Sequence, residues 1–136
     1  MNYRKYNKSE DYTILSHFFI ESKMGLTEEQ MIPHDMLPTD GMVAETDEGE
    51  LVGCVFLYMT TNSLSCISGF PIMNPNFKEN RSEVINEMYD KVHLIASYSG
   101  YKYCHTWSNL PFVESRLEDL GYLAGDERVN HYIKGL

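Results

Sequence analysis

The sequence lacks the features that mark membrane and nucleic-acid-binding proteins. No apolar run approaches the roughly 18 residues that span a membrane, and Met1–Tyr6 has no apolar signal-peptide core. We therefore expect a cytoplasmic protein with no membrane partner. The 11 Lys and Arg residues are outnumbered by 20 Asp and Glu, for a net charge of −9. Because binding a nucleic-acid backbone needs a basic surface, we expect no nucleic-acid partner either.

Cysteine and histidine are too few or too scattered to predict a metal or redox centre. The three cysteines, Cys54, Cys66 and Cys104, lie in apolar segments without a C-x-x-C pair, which favours buried, reduced thiols. The five histidines show no metal-ligand spacing, so we expect no bound metal.

What is present is the composition of an ordinary globular protein. With 136 residues, 43% of them apolar and 23% charged, the chain is long enough to build a core. No internal repeat or linker divides it. We therefore expect a single domain over residues 1–136.

The first third of the chain is typical of a strand, two helices and a second strand. Residues 2–7 form a short strand, and Ser9 suits the N-cap of the first helix. Thr27 with Gln30 resembles a capping box that opens a second helix. Gly41–Glu45 follows as the second strand.

Two apolar strands occupy the centre of the sequence. Leu51–Met59 is apolar on both faces, as in the middle of a covered sheet, and Leu64–Met73 is the return strand. The return strand contains Gly69, which often marks a bulge, and Pro71, which donates no ladder hydrogen bond. We expect this strand to lose its partner on one side near its C-terminal end.

A turn beginning at Pro75 connects that strand to a long helix. Asn80 with Glu83 resembles a capping box, apolar residues then recur at helical spacing, and Gly100 suits a left-handed C-terminal cap. A turn between a strand end and a helix N-terminus collects free N–H groups at the positive end of the helix dipole. It is therefore a candidate anion site.

The last third predicts a strand, a helix and a final strand. Tyr101–Trp107 alternates, Pro111 suits a first helical turn and Gly121 ends the helix. The final strand, Arg128–Ile133, offers an edge at which two copies can pair as a possible homodimer. The resulting order, β-α-α-β-β-β-α-β-α-β, predicts an α/β (α+β) fold with a mixed, mostly antiparallel sheet flanked by helices.

This order resembles the GNAT superfamily of N-acetyltransferases over nearly the whole chain. Three places carry the resemblance: the strand, Pro75 turn and helix; Asn109 after the Trp107 strand; and Leu117–Tyr122, a helix ending in an aliphatic-Gly-aromatic step. The resemblance implies that the fourth and fifth strands splay apart and that pantetheine inserts between them. Acetyl-CoA is then the co-substrate. The residues implied in binding it are Ile72, Met73, Asn74, Lys78, Glu79, Asn80, Arg81, Ser82 and Asn109.

The chain departs from the family pattern at three positions. The family's pyrophosphate loop has a basic residue followed by small residues, and here Lys78 is followed by Arg81 and Glu83 where the small residues belong. Bulky side chains restrict the approach of phosphate to the backbone, although the Arg81 guanidinium can itself contact phosphate. Leu117 stands where many members have a tyrosine that protonates the departing thiolate.

Two residues are candidates for the general base. His105, on the strand beside the expected gap, has a side chain that can accept a proton. It can also be a structural histidine in an aromatic row. For Tyr103 and Trp107, the other members of that row, burial in the core is favoured. Glu45, at the end of the second strand, can bind or deprotonate an amine, or can be an exposed carboxylate at a turn.

Three functions remain open on these grounds. The first is an acyl-CoA-dependent N-acyltransferase whose acceptor is a small-molecule or peptide amine, with a backbone N–H at Met73 or Asn74 polarising the thioester. The second is a catalytically inactive binding protein of the same fold that has lost the coenzyme. The third is an acyl-CoA-binding regulator without transfer.

Overall fold

The structure, a computed structural model, describes residues 1–22, 33–107, 111–125 and 134–135. Its strands are β1 (Asn2–Lys5), β2 (Asp40–Glu45), β3 (Leu51–Met59), β4 (Ser65–Met73) and β5 (Tyr103–His105). Its α-helices are α1 (Lys8–Ser22), α2 (Arg81–Tyr98) and α3 (Pro111–Asp119), with a 3₁₀ turn at His34–Met36. The predicted capping box at Thr27 and the predicted final strand lie outside the described residues.

The chain divides into two compact units, Met1–Thr106 and Trp107–Leu136. The first contains the sheet, in the order β1-β2-β3-β4-β5. Its first four strands pair antiparallel, and β5 pairs parallel to β4. The predicted mixed, mostly antiparallel sheet flanked by helices is confirmed. None of the described helices combines the length and apolar character needed to cross a membrane.

The two faces of the sheet are covered by different helices. Leu15 of α1 belongs to a buried cluster with Cys54 and Phe56 of β3. Side chains alternate along a strand, so Val55 and Leu57, both 0% exposed, point to the opposite face. The helix α2 contacts β2, β3 and β4 and covers that second face. This explains why β3 is apolar throughout.

The predicted C-terminal caps of α2 and α3 are confirmed. Gly100 has φ +92 and Gly121 has φ +86, a left-handed conformation that favours glycine. Beyond each glycine the chain turns back, and the N–H of Tyr101 donates to Ala96 O at 3.1 Å while that of Tyr122 donates to Leu117 O at 3.0 Å. The helices end at Tyr98 and Asp119, each two residues before the predicted cap glycine.

The predicted N-caps are wrong in detail. The helix α1 begins at Lys8, and Asn7 caps it, since its Oδ1 accepts from the Ser9 N–H at 3.3 Å. Asn80 precedes α2 as predicted, but it is left-handed (φ +46) and makes no side-chain cap hydrogen bond, so the capping box with Glu83 is absent. A capping box needs an extended N-cap residue, which the tight turn before α2 does not provide.

Candidate coenzyme site

A bulge interrupts β4 where the sequence predicts one. Cys54 is paired with Ile72 and Phe56 with Gly69, so two steps along β3 match three along β4. Gly69 has φ +150 and Phe70 has φ +52. A bulky residue with positive φ is uncommon and marks a backbone held in place by its surroundings. Here the Phe70 ring packs against Phe19 and Phe56, with ring centroids 5.7 and 6.4 Å apart.

Beyond Ile67, β4 has no partner strand on its outer side among the described residues. The parallel pairs are Ser65–Tyr103, Cys66–Cys104 and Ile67–His105, whereas β4 continues to Met73. We call the region beside Ser68–Met73, where β5 no longer pairs with β4, the wedge. Thr106 lies at its base, since a Cβ built on Gly69 would stand 3.3 Å from Thr106 Oγ1. The predicted loss of pairing is confirmed within the described residues.

The backbone of Met73 is directed into the wedge. The N–H of Asn74 donates to Val52 O of β3 at 2.8 Å. Because the hydrogen-bonding direction alternates along an antiparallel strand, the N–H and C=O of Met73, paired with Gly53, point away from β3. Of the two predicted oxyanion donors, the Asn74 N–H is therefore used in the sheet. The Met73 N–H is the one that stays a candidate. The side chains of Ile72 and Met73 are buried in the core.

Arg81 supports the turn between β4 and α2. Its Nη1 donates to the carbonyls of Asn74 at 2.9 Å and Phe77 at 3.1 Å. The Asn74 carbonyl also accepts from the Phe77 N–H at 3.1 Å, and the Asn74 Oδ1 accepts from the Asn76 N–H at 2.9 Å. The guanidinium thus holds the turn together at a position where the resemblance in sequence implies a small residue.

Glu83 is an exposed acidic residue in the first turn of α2. Its charge acts on Tyr3 of β1, whose hydroxyl donates to Glu87 Oε2 at 3.0 Å. Burial, followed by these carboxylates, raises the pKa of Tyr3 to about 12. The charge of Glu83 therefore acts on β1, which lies at the end of the sheet opposite to β5.

The other predicted coenzyme ligands lie around the start of α2. Lys78, Glu79, Asn80 and Ser82 are exposed on the turn and the first helical residues. The N–H of Val84 donates to Asn80 O at 3.0 Å, and the N-terminus of α2 carries the positive end of the helix dipole. Asn109 lies outside the described residues.

His105 lies at the fork where β4 and β5 separate. It pairs with Ile67 in the last register pair, and its Nε2 is 3.3 Å from Ser65 Oγ. Its side chain is exposed, as are those of Tyr103 (63%) and Trp107 (66%). The predicted core position of these two aromatic residues is wrong, because β5 is an outer strand of the described sheet.

Glu45 belongs to an ionic cluster that the sequence did not predict. Arg4 Nε donates to Glu45 Oε1 at 2.6 Å, and its two terminal nitrogens donate to Asp11 at 2.7 and 2.8 Å. These contacts raise the pKa of Arg4. The Asp11 side chain is only 3% exposed. One sequence signal could have predicted this cluster. Asp11 lies four residues before Leu15, so both residues are on the inner face of α1.

The structure does not bring Glu45 and His105 together. They lie on β2 and β5, three strand spacings apart, which is about 14 Å at the usual separation of strands. Glu45 instead lines an open groove of about 530 Å³ with Arg4, Asp11 and Asn74. Glu45 is paired with the Arg4 guanidinium and lies about three strands away from the fork. It is therefore a poorer candidate for the general base than His105.

Comparison with known proteins finds similarity in structure but not in sequence. No protein-family model and no curated protein matches the chain. A protein described as a probable acetyltransferase superposes with a TM-score of 0.74 at 14% identity, over 100% of this chain and 99% of its own. The aminoglycoside 6′-N-acetyltransferase of Acinetobacter baumannii gives 0.66 at 14%, over 99% and 98%. A protein of Clostridium acetobutylicum, described as a predicted acetyltransferase and solved with acetyl-CoA, gives 0.67 at 13%, over 96% and 95%.

These similarities identify the class of fold. The chain has the fold of the GNAT acetyltransferases, as the resemblance in its sequence predicts. It spans nearly the full length of the structures that it matches. At identities of 14% and below, the fold is what the comparison establishes.

Proposed function

We propose that this chain is an acyltransferase that takes an acetyl group from acetyl-CoA and transfers it to the amine of a small molecule or peptide. One observation carries the proposal: among the described residues β5 pairs with β4 only as far as Ile67, and β4 continues through a bulge and a tight turn to the N-terminus of α2. Such an edge can pair with an amide-containing arm, and the helix N-terminus that follows can bind phosphate. A relative of this fold solved with acetyl-CoA supports the choice of donor.

The residues present fit such a co-substrate. Met73 offers a backbone N–H and C=O on the open edge, and the first turn of α2 offers N–H groups at the positive end of the helix dipole. Lys78 and Arg81 supply positive charge beside that turn. Bound acetyl-CoA would supply the activated acetyl group.

The protein would contribute position and polarisation. A neutral amine held beside the thioester needs little further activation when the reacting atoms are aligned, and a backbone N–H such as that of Met73 stabilises the developing oxyanion. His105 at the fork is the candidate that accepts the amine proton. Leu117 cannot protonate the leaving thiolate, so this proton comes from solvent or another group.

One observation favours the rival function, a binding protein of the same fold without coenzyme. Arg81 donates to two backbone carbonyls of the turn, so the loop holds its shape through contacts within the protein. A loop that needs no phosphate to be ordered can be retained after coenzyme binding is lost.

Calorimetric titration with acetyl-CoA separates these functions. The proposal expects saturable binding and an increase in melting temperature. Replacing Met73 by proline, which removes the N–H, weakens binding by about tenfold, the equivalent of one lost hydrogen bond. Met73→Ala is the matched control, since it removes the same buried side chain and keeps the N–H. Absence of heat and of thermal stabilisation for the wild type would refute the proposal and favour the rival.

Turnover of the wild type is tested with a panel of amines. The measured quantity is the free thiol that acetyl-CoA releases on transfer. Saturable release that depends on an amine supports transfer. Tight binding with no release across small-molecule and peptide amines would identify an acyl-CoA-binding regulator instead. If transfer is observed, His105→Gln should lower kcat with little change in the Kd for acetyl-CoA. The fall in kcat should be steepest at pH values where the acceptor amine is protonated.

A further inference from the structure

Two cysteines face each other at the base of the wedge. Cys66 of β4 and Cys104 of β5 are register partners in the parallel pair, one position before the last pair, Ile67–His105. Partners in register point to the same face of a sheet. The Cys104 thiol donates to Ser68 Oγ at 3.2 Å, the Cys66 thiol to Tyr103 O at 3.5 Å, and the two thiols also interact with each other.

This arrangement meets the distance requirement of a disulfide. Neighbouring strands lie about 4.8 Å apart, and the Cα atoms of disulfide-bonded cysteines are usually about 4.4–6.8 Å apart. Cys54, the third thiol, packs in the cluster under α1. Cys66 is paired with Met59 of β3, five positions after Cys54, so it points to the other face of the sheet. The third cysteine therefore cannot reach the pair.

The two thiols differ in their access to solvent. Cys104 is partly exposed, whereas Cys66 is 0% exposed. Burial, followed by the neighbouring Cys104, raises the pKa of the Cys66 thiol to about 12. A reagent in solution therefore meets Cys104 first, and Cys66 reacts second, by attack within the protein.

We propose that Cys66 and Cys104 are a redox modification site that a small-molecule disulfide such as glutathione disulfide converts to a cross-strand disulfide. The Cys104 thiolate attacks one sulfur of the oxidant, forms a mixed disulfide and releases one thiolate. That thiolate takes the proton of Cys66, whose sulfur attacks the Cys104 sulfur and releases the second thiolate. The protein loses two electrons and two protons, and the oxidant is reduced to two thiols.

The bond changes how β5 is held. In the described residues β5 pairs with β4 over only three register positions. A disulfide at the middle position fixes the two strands together just before they diverge, so β5 cannot leave the sheet without unfolding β4. Oxidation should therefore protect the β5 amides from hydrogen exchange and raise the melting temperature. The site does not depend on coenzyme binding.

The test uses the intact chain in glutathione buffers of increasing oxidised fraction. The expected result is a fall from three titratable thiols to one in denaturant, and a proteolytic peptide that links Cys66 to Cys104 within one chain. Cys54→Ser should still form the link. Cys66→Ser should instead hold glutathione on Cys104, which shows that the first step occurs.

Several results would overturn the proposal. One is a wild type that stops at two titratable thiols and one bound glutathione in the buffers that glutathionylate Cys66→Ser, since Cys66 would then fail to resolve the mixed disulfide. Another is a lack of reaction in both proteins, since Cys104 would then be inaccessible. A link between chains or one that contains Cys54 would equally contradict the assigned pair.

Discussion

Replacing Arg4 by methionine tests the ionic cluster beneath α1. The substitution keeps apolar bulk and removes the cation that neutralises Asp11 and Glu45. The Asp11 carboxylate also accepts a hydrogen bond from the Asn7 N–H at 2.8 Å. Of the contacts described for Asp11, the substitution leaves this one in place. Breaking a buried ion pair costs about 3–5 kcal/mol. Because the Arg4 side chain is 35% exposed, we expect the lower end of this range, a loss of about 3 kcal/mol in the free energy of unfolding.

Urea denaturation of four proteins measures this loss and its origin. The set is the wild type, Arg4→Met, Asp11→Asn and the double variant. Since the double variant removes the buried Asp11 charge together with its cationic partner, it should be more stable than the sum of the single losses by about 1.5 kcal/mol or more. Glu45→Gln is the matched control, with a smaller loss because Glu45 is 20% exposed. A loss below about 1 kcal/mol for Arg4→Met, or additivity within about 0.5 kcal/mol, would refute the reasoning.

Two further predictions concern pH and the bulge. The pKa of Tyr3 is raised from 10.0 to about 12, so its contribution to stability is complete below pH 10 and is lost as the pH rises to 12. Tyr3→Phe should flatten the fall in melting temperature over that interval, and an unchanged slope would contradict the assignment. Gly69→Ala places a Cβ on a residue with φ +150, 3.3 Å from Thr106 Oγ1. It should lower the free energy of unfolding in urea by about 1–3 kcal/mol. Gly125→Ala, with no atom within 4 Å, should cost less than about 0.5 kcal/mol; equal losses at both glycines would be the contrary result.

Local signals predicted the elements that local chemistry controls. β3 occupies the predicted residues, and the caps at Gly100 and Gly121 follow from the left-handed conformation that glycine adopts easily. Gly69 and Pro71 predicted the irregular end of β4 because a bulge and a missing donor are properties of those residues themselves.

The remaining features depend on partners distant in sequence. Arg4, Asp11 and Glu45 meet only through the pairing of β1 with β2 and the position of α1. Asn80 fails as a cap because the Arg81 guanidinium and the Asn74 carbonyl define a tight turn. The aromatic alternation of Tyr103 and Trp107 predicted burial, but alternation states which side chains share a face and not whether that face is covered.

Hydrogen exchange at one pair of neighbouring amides tests the central claim most directly. The Asn74 N–H is bonded to Val52 O, whereas the Met73 N–H points to the open edge of β4. With saturating acetyl-CoA, NMR should show exchange at Met73 slowed at least about tenfold, the worth of one hydrogen bond, with little change at Asn74. Saturable binding that leaves Met73 exchange unchanged, or no binding at all, would contradict the account of the wedge as a coenzyme site.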